Sequence, residues 1–168
     1  MTAVRGQGTA PSETAGRLSV ALIARSGSRG PILLYAEPGC GKDELARELH
    51  LRSRRAKKPF VPFNCSTVPA TLIEDALFGH NRGAFTGAES ERQGCFEKAD
   101  GGTLFIDEID KLDQDVQTRL LGPLAPQTVQ RVGGNRDIEV NVLVVAASNA
   151  FLSSEGQGAA FTPALVSR

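Results

Sequence analysis

The sequence predicts an α/β fold with a mostly parallel sheet covered by helices on both faces, and three observations predict it. Short apolar runs alternate with segments of helical periodicity along most of the 168 residues, as β-α-β crossovers require. The runs are continuously apolar and not alternating, which is how strands buried on both faces read. One run ends in a glycine-bracketed turn and another in two adjacent carboxylates, and open α/β sheets gather ligands at such strand ends.

Residues 1–16 (MTAVRGQGTAPSETAG) are small, polar and glycine-rich and read as a loose lead-in to a core spanning 17–168. Residues 17–25 have near-helical apolar spacing and are followed by Ser26-Gly27-Ser28, a helix stop. The run at 31–36 (PILLYA) is a strand, and 43–52 (DELARELHLR) is a helix with acids in its first turn. The run at 60–65 (FVPFNC) precedes a helical stretch at 69–78. The run at 103–106 ends in Asp107-Glu108, and a helix over 113–121 stops at Gly122-Pro123. A last strand is expected over 140–147. The glycine-rich segment 79–87 breaks this rhythm and reads as a loop inserted in or after a helix.

The composition narrows the function classes. Lys+Arg and Asp+Glu are 19 each, with 40% hydrophobic and 23% charged residues, values of a globular domain. A neutral total gives no electrostatic case for a dedicated nucleic-acid binder. No apolar run reaches the roughly 18–20 residues of a membrane span, and the start lacks the basic-then-apolar order of a secretory signal. Cys40, Cys65 and Cys95 have neither disulfide-scaffold density nor metal spacing, which suits a reducing cytoplasm. His50 and His80 likewise stand away from any ligand partner. The basic cluster Arg52, Arg54, Arg55, Lys57 and Lys58 reads as a solvated face.

Two segments carry chemistry. Ala36-Glu37-Pro38-Gly39-Cys40-Gly41-Lys42-Asp43 joins a strand to a helix, the context of a phosphate-binding loop. Gly39 and Gly41 allow backbone N–H groups to turn inward around phosphate oxygens. The helix N-terminus adds its dipole, and Lys42 supplies a mobile charge for the terminal phosphates. Ala36 stands where glycine is usual, and Asp43 stands where a hydroxyl would bind magnesium; a carboxylate also coordinates magnesium, directly or through water. Downstream, Asp107 is placed to orient magnesium and Glu108 to position or deprotonate water. On residue type alone, Asn64 and Asn149 read equally as ordinary strand-end side chains.

Here the chain resembles the ATPase domain of sigma-54-dependent transcription activators, the bacterial enhancer-binding AAA+ proteins. The resemblance covers about residue 32 to the C-terminus. Its most specific part is Gly83-Ala84-Phe85-Thr86-Gly87-Ala88, the GAFTGA loop by which that family contacts sigma-54. The stretches LFGH at 77–80, FEKADGGTLFIDE at 96–108, NC at 64–65, RVGG at 131–134 and AASN at 146–149 are similar to family signatures. An acid after the loop lysine is usual there too.

The resemblance implies a three-layer P-loop NTPase (AAA+) core, ending before the family's helical lid, with ATP and Mg2+ as cofactors. It implies that residues 37–43 hold ATP and that Asp43, Asp107 and Glu108 serve magnesium and hydrolysis. Asn64 would hold Glu108 in a nucleotide-dependent switch, and Asn149 would sense the terminal phosphate. Phe85 and Thr86 would engage sigma-54, with residues 131–134 in a second pore-side loop. Arg168 fits one trans-acting arginine, while Thr162 occupies the position of the other. The partners implied are sigma-54 in RNA polymerase holoenzyme and further copies in a ring, commonly a hexamer, with promoter DNA touched only indirectly. Two other functions remain open: a hydrolysis-deficient module that joins or inhibits activator rings, and a P-loop ATPase with another client. An apolar Phe85 in an exposed loop of small residues is an anchor a partner protein would bury.

Overall fold

Four of the apolar runs lie side by side as parallel strands, and a fifth strand completes the sheet. The computed structural model describes residues 2–5, 30–35, 39–124 and 127–148. Along the chain, β1 (Thr2–Arg5) and β2 (Ile32–Tyr35) are followed by α1 (Lys42–Arg52), β3 (Phe60–Asn64) and α2 (Ala70–Phe78). A short hairpin of β4 (Gly79–His80) and β5 (Arg92–Gln93) comes next, then α3 (Cys95–Lys98) and β6 (Thr103–Asp107). The remaining elements are α4 (Gln114–Arg119), α5 (Leu121–Leu124), the hairpin strands β7 (Thr128–Val129) and β8 (Ile138–Glu139), and β9 (Leu143–Ser148).

The central sheet runs β1-β2-β9-β6-β3, parallel throughout. Its residues alternate between two separate cores, which is why the strands read as unbroken apolar runs. Leu33, Phe63, Leu104, Ile106, Val144 and Ala146 face one side, with Ile73, Leu77, Phe78, Phe96, Val116 and Leu120 packed on them. Ile32, Leu34, Phe105, Leu143, Val145 and Ala147 face the other, where Ala46 and Leu49 of α1 cover them. The result is three layers. Phe78 and Phe96 stack at 5.6 Å between centroids, and the Arg119 guanidinium lies 4.6 Å over Phe78. Truncating Phe96, which is fully buried, is expected to cost about 3–5 kcal/mol.

α1 forms where its charges favour it: Asp43 and Glu44 sit in its first turn, His50 and Arg52 in its last, each matched to the local end of the helix dipole. The helix at 113–121 is entered through Asp113, whose carboxylate accepts from the Val116 N–H at 2.8 Å. Of the basic cluster, Arg55 is structural, since its guanidinium donates to the carbonyls of Gly102 and Asn141. Arg52, Arg54, Lys57 and Lys58 are exposed, as a solvated face requires.

Four details differ from expectation. Thr2–Arg5, placed in the loose lead-in, is a strand paired with β2, because the outer edge of β2 offers unpaired backbone groups that an extended segment satisfies. Gly122-Pro123 does not end the helical region but lies inside α5; in a first turn the missing proline N–H removes no helix bond. The last strand begins at Leu143, since Val140 N–H is bonded to the Gln127 carbonyl and Asn141 N–H to Asp100. The segment 79–87 is not a plain loop: β4 pairs antiparallel with β5 and carries the turn at its tip. The helix expected over 17–25 lies outside the described residues.

Candidate nucleotide site

β9 lies between β2 and β6. The glycine turn after β2 and the acid pair after β6 are therefore two strand spacings apart, about 10 Å, enough for a phosphate and a hydrated metal between them. Gly39, Cys40, Gly41, Lys42, Asp43, Asp107 and Glu108 do line one cavity, of about 180 Å³. Gly39 and Gly41 are both left-handed, at φ 79° and 70°, a conformation that side-chain-bearing residues rarely adopt. Gly41 is the N-cap of α1, so the free N–H groups of the first helical turn point to the cavity end. Ala36, Glu37 and Pro38, expected in this loop, lie outside the described residues, as do Asn149 and Arg168.

The acid pair is held by a small network. Asp107 Oδ2 accepts from Asn64 Nδ2 at 2.9 Å, and its Oδ1 accepts from the Glu108 N–H at 2.9 Å. Asn64 Oδ1 in turn accepts from the Ser66 N–H at 2.8 Å, capping the 3-10 turn Cys65–Thr67. The Ser66 hydroxyl donates to the Glu108 carboxylate. Glu108 stands in the left-handed region at φ 52°, a strained conformation for glutamate that clusters at functional sites.

This corrects one expectation: Asn64 bonds Asp107, not Glu108. The register explains it, because Asn64 and Asp107 are directly paired on β3 and β6, while Glu108 lies one residue beyond the strand. The 3-10 turn brings Ser66 to Glu108 instead. Ser66 was missed by sequence reasoning, although its place two residues after a strand-end Asn is the kind of position that caps such turns. Behind the site, burial and then the nearby carboxylates of Asp107, Asp110 and Glu108 push the Cys65 thiol up to about 12, so it stays protonated and inert.

The donor set fits a phosphate-bound magnesium ion. Carboxylate oxygens of Asp107 and Asp43 are hard ligands, and Mg2+ keeps several waters while taking one or two protein carboxylates plus phosphate. Among the described residues no group of three or more His, Cys, Asp or Glu could hold a metal without such a substrate.

The 83–88 loop is organised separately. It closes on itself through Gly83 N–H to the Ala88 carbonyl at 2.8 Å and Ala88 N–H to the Phe85 carbonyl at 3.0 Å. Phe85 is 43% exposed while Ala88 is buried. Val132 adds to the hairpin as a third rung, with its N–H to the Gly79 carbonyl at 2.8 Å and its carbonyl accepting from Asn81 N–H at 3.0 Å. Arg131, next to it, makes two bonds of 2.8 Å to Glu97 and one of 3.0 Å to Glu91. The 131–134 segment thus fastens the hairpin to α3.

A three-layer parallel sheet, a left-handed glycine turn entering a helix and an acid pair across an intervening strand define the P-loop NTPase core of AAA+ type. A model of the Sigma-54 interaction domain matches residues 12–168, and the chain belongs to that family. It is 46% identical over 153 residues to the DNA-binding transcriptional regulator NtrC of Escherichia coli (strain K12), covering 91% of this chain and 31% of that protein. It is 44% identical over 141 residues to the transcriptional regulatory protein FlbD of Caulobacter vibrioides, covering 84% and 31%. The crystal structure of NtrX from Brucella abortus superposes with a TM-score of 0.84 at 28% identity, over 96% of this chain and 36% of that one. NtrX is also known in complex with ADP and with ATP, at TM-scores of 0.81 and 0.74. The chain spans about a third of the length of these relatives. No helix among the described residues is long and apolar enough to cross a membrane.

Proposed function

We propose that this domain binds ATP with Mg2+ in the 39–43/107–108 cavity. Within a ring, it couples hydrolysis to remodelling of sigma-54 RNA polymerase holoenzyme and so to promoter opening. The observation that carries the reading is the cavity itself, which joins Lys42 to Asp107 and Glu108. The ATP and ADP complexes of NtrX, a related domain, support nucleotide as the occupant.

The chemistry follows from this chain's groups. Backbone N–H groups of the glycine turn and the α1 terminus grip the phosphates, and the Lys42 ammonium neutralises their terminal charge. Bound magnesium would bridge the phosphate oxygens and lower the charge developing on them. Asp107 holds its orientation through Asn64 and the Glu108 N–H, and Glu108 positions the attacking water and accepts its proton once Ser66 releases it. Asn149 reports on the terminal phosphate, and Arg168 completes a neighbour's site. The 83–88 loop, with Phe85 outward, meets sigma-54 in the cytoplasm, and promoter DNA is engaged only through the polymerase.

Calorimetry with ATP tests the first half. Wild type is expected to bind and Lys42→Ala to lose at least about tenfold in affinity; a wild-type titration without heat overturns the reading. Phosphate release that rises with protein concentration and vanishes in Glu108→Gln tests the second. Turnover that is concentration-independent, or that survives Glu108→Gln, overturns it.

A further inference from the structure

We propose that His80 is a positioning residue for the 83–88 loop: its ring, tied at both nitrogens, forms the seat on which Phe85 rests. The inference builds on the reading that this loop is the sigma-54 contact.

His80 stands at the base of the hairpin and is buried. Its Nδ1 faces Asp75 Oδ1 of α2 at 2.5 Å, and its Nε2 faces the Ser90 carbonyl on the returning limb at 2.9 Å. Both partners are acceptors, so both ring nitrogens donate and both carry a proton. Asp75 is itself buried, and its second oxygen accepts from Arg92 Nη1 of β5 at 3.2 Å. Asp75 and Arg92 are the charged groups beside the ring. One side chain therefore links α2 and the far limb of the hairpin.

The same ring meets Phe85 edge to face, with centroids 5.0 Å apart and planes at 68°, a favoured aromatic geometry. One side of Phe85 is held while the ring stays 43% exposed. A loop of glycine, alanine and threonine has no other large side chain to fix its tip. Holding the anchor before it meets its partner reduces the ordering penalty of association. His80 thereby determines how well the tip is presented without touching the nucleotide.

The chain has two histidines, so ring-nitrogen NMR on 15N-histidine-labelled protein resolves them directly. His80 is expected to show two protonated nitrogens, and Phe85→Leu to shift its ring protons while leaving those of His50 in place. One bare nitrogen on His80, or ring protons unmoved by Phe85→Leu, overturns the proposal, and this measurement needs no change at His80.

His80→Gln then gives the consequence. Amide exchange at residues 84–87 is expected to quicken about tenfold, with ATP affinity unchanged, and capture of sigma-54 in ADP–aluminium fluoride to weaken about tenfold. Unchanged exchange overturns the seat. If Phe85→Leu leaves sigma-54 capture intact while exchange responds to His80→Gln, the seat stands and the loop's assignment to sigma-54 falls.

Discussion

Ser66 donates its hydroxyl to the carboxylate of Glu108 while Asn64, two residues earlier, is bonded to Asp107. The two acids of the pair thus have separate keepers on one strand end. Asp107 is fixed by register pairing within the sheet. Glu108 is fixed by a turn that follows the sheet, and a hydroxyl on a turn is the easier of the two to release.

Ser66→Ala is therefore expected to free Glu108 for water. With a charge-assisted bond removed from the ground state, turnover should rise severalfold, up to about tenfold, with little change in KM, and Ser66→Thr should restore the wild-type rate. Steady-state phosphate release across protein concentrations checks this. A rate that falls with Ser66→Ala would mean that the bond positions Glu108 productively instead of parking it.

Arg131 and Glu97 form a two-bonded pair with side chains 14% and 9% exposed. Removing the cation alone strands a buried carboxylate. Arg131→Ala is expected to destabilise the fold by about 3 kcal/mol, read as a lower urea midpoint at constant slope. Arg131→Met combined with Glu97→Leu should recover most of that loss, since no unpaired charge remains.

Gly133 is left-handed at φ 72°, and a Cβ there would sit 2.6 Å from the Ala84 Cβ. Gly133→Ala should destabilise by about 1–3 kcal/mol, part from backbone strain and part from the collision. Ala84→Gly in the same chain removes only the collision, so partial rescue in thermal melts is expected. Complete rescue would show that the backbone contributes nothing.

His50 is buried with Nδ1 at 3.0 Å from the Thr103 hydroxyl and its ring 5.2 Å from Phe60. Burial, and then the Arg47 cation, lower its pKa, with a backbone bond at Lys58 acting the other way. The folded state therefore prefers neutral imidazole, while the unfolded chain takes up a proton near the ordinary value of about 6.5. This contribution to stability is full above that value, falls as pH drops through it, and levels off below the folded pKa. Melting curves from pH 8 to 5 should show the loss in wild type and a smaller one in His50→Gln.

The alternation of strands and helices, the glycine turn at 39–42, the acid pair at 107–108 and the 83–88 loop were all legible in the sequence, because each is written in contiguous residues. Backbone conformation, dipole and apolar periodicity act over a few positions, so neighbours alone specify them. The order β1-β2-β9-β6-β3, the recruitment of Thr2–Arg5 to the sheet edge, the division of Asn64 and Ser66 between two acids, the clamp of Arg131 on Glu97 and the seat of Phe85 on His80 were not. Each depends on register, or on residues far apart in sequence, as Arg131 and Glu97 are. A shift of one residue in pairing would hand Asn64 a different partner. Such contacts exist only after the chain has closed its loops and packed its two cores, and no local stretch encodes them.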